Sequence, residues 1–207
     1  MGKAKKLFGE TKMTWKRVIL LAVITAAFTA LVLCLEFLDN TSFQDIGISF
    51  ECWFLFAIYI IVNCDKWYEA SLKTFVFFLI SQPLIYLLQV PFSWLGWGIF
   101  QYYKTWFIFT LLTLPGAAIA FLLKKKNWLS VAVLAVPTGF LANACVGYGA
   151  RAYRSFPHHL LSSAFCLALG IFFVIVLLDE KKHKIAQFIY MAIMIAIPLV
   201  GPSLRLV

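Results

Sequence analysis

With 207 residues, 63% of them hydrophobic, 17% aromatic and only 13% charged, this chain lies well outside the soluble range, where about half the residues are apolar and about a quarter charged. The apolar residues come in long runs, which leaves no room for a sizeable soluble domain and makes the chain a multi-pass membrane protein whose first partner is the lipid bilayer. A net charge of +9 would point to nucleic acid in a soluble protein, but the longest basic stretch, Lys3 to Arg17, is a short tail without a folded surface to present it, and no nucleic-acid partner is expected.

Residues 1–17 read as a basic cytoplasmic tail and residues 18–207 as a single all-α transmembrane domain, a polytopic helix bundle. The first apolar run, Val18 to Leu38, is too long for a signal peptide and has no small-residue cleavage site before Asp39. Ala22, Ala26 and Ala30 recur every fourth residue along it, a stripe on which another helix can pack closely. The second run is short. Only by starting at Ile46 does it reach 17 residues at Val62, and it then includes Glu51. Further spans are expected at 74–92, 105–123, 129–148, 160–178 and 185–204.

Charge decides whether 46–62 crosses. If it does, there are seven spans with the N-terminus inside and the C-terminus outside. Fourteen basic residues then face the cytoplasm, and Lys104, Arg151, Arg154 and Arg205 make four outside. A re-entrant second segment would give a near-even split, so the positive-inside rule favours crossing. All seven tryptophans fall near expected span ends, as an aromatic belt requires.

The stretch Phe75 to Phe109 is the most unusual. Gln82, Tyr86 and Gln89 share one helical face within an apolar run that also carries Pro83 and Pro91. Side-chain amides in hydrocarbon need partners, so that face should look into protein or a polar cavity. Glu51, with Tyr59 on roughly the same face, is an intramembrane acid and a candidate site residue. The outer loop Gly149 to His159 holds Arg151, Arg154, His158 and His159, cations that either pair the outer acids or bind an anionic solute or headgroup. The expected ligand-binding residues are therefore Glu51, Tyr59, Gln82, Tyr86, Gln89, Arg151 and Arg154.

The five cysteines show no CxxC spacing, and a disulfide between Cys34 and Cys52, at similar depth, stays open. No catalytic residue, cofactor or metal ligand set is expected, because no GxSxG, HExxH or phosphate-binding motif occurs and His158 and His159 are adjacent rather than convergent. The basic start and the alanine stripe, over Arg17 to Leu31, resemble the substrate-binding subunits of energy-coupling-factor vitamin transporters. That resemblance implies docking of the first helix on a shared membrane subunit, in a family that typically has six spans rather than seven. Three functions follow as expectations. The first is a cell-membrane protein handling a small solute through a polar intramembrane cavity, as a transporter or its binding subunit. The second is a non-catalytic partner of a larger complex, met through the first helix. The third is an outward-facing membrane enzyme using Cys145 or His158.

Overall fold

The computed structural model describes residues 8–200, and every regular element among them is helical. The helices are α1 (Trp15–Cys34), α2 (Ser42–Ile48), α3 (Phe50–Val62), α4 (Trp67–Gln89), α5 (Tyr103–Ala120), α6 (Trp128–Arg154), α7 (Leu160–Leu177) and α8 (Lys181–Val200). Five helical segments, 15–34, 67–89, 96–125, 128–154 and 160–177, are long and apolar enough to cross a membrane, and α2 with α3 makes a sixth if that pair, bent by 46°, counts as one. The protein is an all-α, multi-pass membrane protein. The expected second span thus starts as a short helix and turns at Ser49, whose backbone is extended. The expected seventh, 185–204, is helical from Lys181 to Val200, and its last residues lie outside the described part, as does the start of the basic tail.

The chain divides into two compact units. One comprises Gly9–Asp39 and Phe56–Phe121, hence α1, the second half of α3, α4 and α5. Here α4 packs against both α1 and α5. The alanine stripe is fully buried, with Thr25 and Thr29 beside it, so the small-residue face of the first helix is taken up inside the chain. A clasp closes one end of this unit. Asn63 Oδ1 accepts from the backbone N–H groups of Gly9 (3.0 Å) and Thr11 (2.9 Å), and its carbonyl accepts from Met13 N at 3.1 Å. The buried Lys73 ammonium donates to the Met13 carbonyl and to Glu69, and lies 5.6 Å from the centre of the Trp15 ring. Between α4 and α5, Trp94 in the connecting turn and Trp97 in the short 3₁₀ helix Gly96–Tyr102 are exposed. Trp15, Trp67 and Trp128 are exposed as a belt requires, whereas Trp53 is buried.

The other unit comprises Asn40–Leu55 and Leu122 onward, with Phe8. Its centre is α6, which packs on α7 and α8, while α2 lies against α7. Asn127 and Ser130 form a reciprocal capping box at the start of α6, and Ser130 Oγ also donates to the Leu122 carbonyl at 3.0 Å, fixing the tight turn before it. Lys126 in that turn pairs with Asp179, which follows α7, at 2.6 Å. Helix contacts are close where glycine allows. A Cβ on Gly139 would fall 2.4 Å from the Tyr190 hydroxyl, and one on Gly170 would fall 2.7 Å from Met191 Cε.

Candidate functional site

The densest polar chemistry in the α6–α7–α8 unit gathers around Asp45, in the short helix α2. Its Oδ2 accepts from His159 Nδ1 at 2.6 Å and from Ser162 Oγ at 2.6 Å. Ser42 Oγ, three residues earlier, accepts from Ser162 N at 3.3 Å. The α2 side chains therefore satisfy the first turn of α7, and the carboxylate sits at the positive end of that helix's dipole. His159 enters α7 in the left-handed region (φ 65°), which aims its ring at Asp45 and stacks it on Tyr148, with ring centres 6.4 Å apart and planes 19° apart. The Arg151 guanidinium lies 5.6 Å from the other aromatic centre of this set, the Tyr148 ring.

Glu51 joins this group from the first turn of α3. It is only 3% exposed, and its Oε2 has no hydrogen-bond partner in the protein. Both Glu51 and Asp45 act electrostatically on the Tyr148 hydroxyl and on Cys166. One step deeper, Ser163 Oγ donates to the Cys145 carbonyl at 2.8 Å and lies 3.4 Å from its thiol. This is not a nucleophile relay. Ser162 gives its proton to the carboxylate rather than to the imidazole, and Cys145 meets a hydroxyl instead of a base. What the arrangement offers is two carboxylates, an imidazole held in one tautomer by Asp45, and a phenol. That set suits binding a proton or a cationic group.

The expected site residues fall into both units. In one, Arg151 and Arg154 are exposed near the end of α6, which runs on past residue 148, and no ion pair joins either to Glu51 among the described residues. It is His159, not an arginine, that pairs an acid here. In the other, Tyr59 accepts a hydrogen bond from Asn63 Nδ2 through its carbonyl (2.9 Å), while Asn63 serves the clasp. Gln82 is buried with its Nε2 unpartnered, Tyr86 packs its ring 6.0 Å from Phe100 and 6.2 Å from Tyr103, and Gln89 Nε2 donates to the Ile85 carbonyl of its own helix at 3.1 Å.

A second polar group, absent from the sequence expectations, lies at the opposite end of α6. His183 is buried, its ring edge on Trp128 with centres 4.6 Å apart, and neither ring nitrogen is hydrogen-bonded in the protein. Glu180 Oε2 is 4.0 Å from its Nε2, and the Lys182 ammonium beside Glu180 holds that carboxyl below the usual carboxylate range. One helical turn on, the fully buried Gln187 donates to Thr138 Oγ1 while its own Oε1 is unpartnered. The signal was available: His183 and Gln187 are four apart at the edge of an apolar run, the spacing that singles out Gln82, Tyr86 and Gln89. No disulfide joins any of the five cysteines, and no cluster of three metal-ligating side chains occurs among the described residues.

Comparison with family models, with curated proteins and with solved structures finds no match.

Proposed function

We propose that this membrane protein binds a small polar solute bearing a cationic group within the bilayer, as a transporter or the binding subunit of one, in the cell membrane. The observation that carries this reading is Glu51, a buried acid with an unpartnered oxygen, in a group that already holds Asp45, His159 and Tyr148. A carboxylate left bare in a low-dielectric setting is costly, and a solute ammonium supplies the missing counter-charge and hydrogen bond.

Purified protein in nanodiscs, heated with a panel of small amines, amino acids and carboxylate anions, tests this. A cationic solute at about 100 times its Kd should stabilise the wild type by about 2.7 kcal/mol and leave Glu51→Gln unmoved. If no cationic solute raises the melting temperature, and Glu51→Gln is simply more stable than wild type, the acid has no ligand and the reading fails.

The proposed topology keeps seven spans, with the Asp45 and His159 end outside and the Lys124–Lys126 and Lys181–Lys184 turns inside, as positive charge dictates. In a cysteine-free background, a cysteine at Arg154 should react with an impermeant thiol reagent on intact cells, and cysteines at Lys125 and Lys182 should react only after lysis. Labelling of the lysine-turn sites on intact cells inverts the arrangement.

A further inference from the structure

Within the α6–α7–α8 unit, the Tyr148 side chain links two kinds of charge. Its hydroxyl interacts with the Ser49 side chain at the bend between α2 and α3, where Glu51 and Asp45 both act on it. Its ring carries the Arg151 guanidinium, 5.6 Å from the ring centre. Arg154 follows three residues on, a neighbour of Arg151 on the helix surface. Both arginines are exposed, and neither enters an ion pair among the described residues. Glu51, by contrast, is enclosed and keeps an oxygen without a hydrogen-bond partner in the protein. Asp45 is matched by His159 and Ser162. One carboxylate within and two guanidiniums at the rim are left to be matched.

We propose that the solute bound at Glu51 is a zwitterion, an ammonium joined by a short chain to a phosphate, as in ethanolamine phosphate. This rests on the reading of Glu51 as the seat of a cationic solute and adds the anionic half. The ammonium donates to Glu51 Oε2, and the phosphate accepts from Arg151, with Arg154 beside it. A guanidinium stays protonated and presents a fork of N–H donors that matches phosphate oxygens. A phosphate has more acceptor oxygens than a carboxylate, so it can engage two forks at once. Each charge of the ligand then meets its opposite, whereas a simple amine leaves both arginines as they are.

The spacing points the same way. Arg151 lies over the Tyr148 ring while the acids act at its hydroxyl end, so the ligand's two charges stand apart across that side chain. An α-amino acid carries its ammonium and carboxylate on one carbon and reaches less far than an aminoethyl phosphate. The ring also restrains the guanidinium through a cation–π contact, which lowers the ordering cost of holding an anion there. The same contacts serve free ethanolamine phosphate and the headgroup of phosphatidylethanolamine. A choline headgroup fits less well, because its trimethylated nitrogen has no N–H to give to Glu51.

Purified protein in phosphatidylcholine nanodiscs is titrated calorimetrically with ethanolamine and with ethanolamine phosphate. The phosphate compound should bind about ten-fold tighter, the yield of one charge-assisted contact at an exposed rim. Arg151→Gln should bring the two affinities together, Arg151→Lys should keep part of the difference, and Glu51→Gln should weaken both compounds. An unchanged melting temperature of the ligand-free Arg151→Gln protein separates lost binding from lost folding. Equal affinities in the wild type, or an advantage that survives Arg151→Gln, overturn the zwitterion and leave a cationic solute at Glu51 standing. If neither compound binds, nor any amine of the panel above, both readings fall. Nanodiscs containing phosphatidylethanolamine separate the two sources. A lipid headgroup in the site should raise the melting temperature and compete with free ethanolamine phosphate, whereas a free solute should bind equally in both discs.

Discussion

Asp45→Ala should destabilise the protein by about 3–5 kcal/mol, the cost of losing two largely enclosed hydrogen bonds to one carboxylate oxygen at about 1.5–3 kcal/mol each. The carboxylate holds His159 and Ser162 with one oxygen, and both side chains of the Asp45–His159 pair are mostly enclosed. Alanine leaves the imidazole and the hydroxyl at the entrance of α7 without an acceptor and removes a negative charge from that helix's N-terminus. Asp45→Asn keeps the shape and an acceptor oxygen, so it should cost markedly less. Reversible unfolding in mixed micelles checks both. A cost under about 1 kcal/mol for the alanine variant would mean that water takes over these bonds and that α2 does not organise the site.

Lys73→Ala should have the next largest effect, about 2–3 kcal/mol. The general figure for breaking a buried pair is higher, but Glu69 is close to one-third exposed and recovers hydration, which lowers the expectation. The ammonium ties the Met13 carbonyl to α4 and covers the Trp15 ring, while Asn63 holds Gly9 and Thr11 from the end of α3. Lys73→Ala and Asn63→Ala act on one clasp, so the double variant should cost less than the sum of the singles. Limited proteolysis should show new cleavage within residues 9–13 in either variant. Strictly additive costs with a protease-resistant tail would show that the two contacts are independent.

These two substitutions illustrate what could be read from sequence. The long apolar runs alone locate α1, α4, α5, α6 and α7 to within a few residues, apart from extensions at helix ends, because in a bilayer every backbone group must be bonded within its segment. The length deficit of 46–62 was visible too, and the structure shows there two short helices bent by 46° at Ser49 rather than one straight span. Glu51 was identifiable as a buried acid, since a charged residue within an apolar run is conspicuous. Its surroundings were not. Asp45 and His159 are 114 positions apart, and nothing in their local pattern says that α2 folds over the start of α7. The choice of His159 over His158 depends on a single left-handed residue, a conformation that histidine adopts more readily than most but that no spacing rule predicts. Lys73 counted as one more cytoplasmic cation in the charge tally. The structure makes it a buried anchor for the tail.

The length of α6 sets a mechanical condition on everything attached to it. Its 27 residues extend about 40 Å, some 10 Å more than a typical hydrocarbon core. The excess must be absorbed by leaning the helix, by letting its Arg151–Arg154 end ride among the headgroups, or by thickening the surrounding lipid. A membrane of long-chain lipids relieves this hydrophobic mismatch, and one of short-chain lipids aggravates it and forces a greater lean. The aromatic rings beside the buried His183 and the half-buried His159 belong to this one helix, so a change in its lean moves both imidazole environments together. Acyl-chain length thereby becomes a control on the two ends of the unit at once.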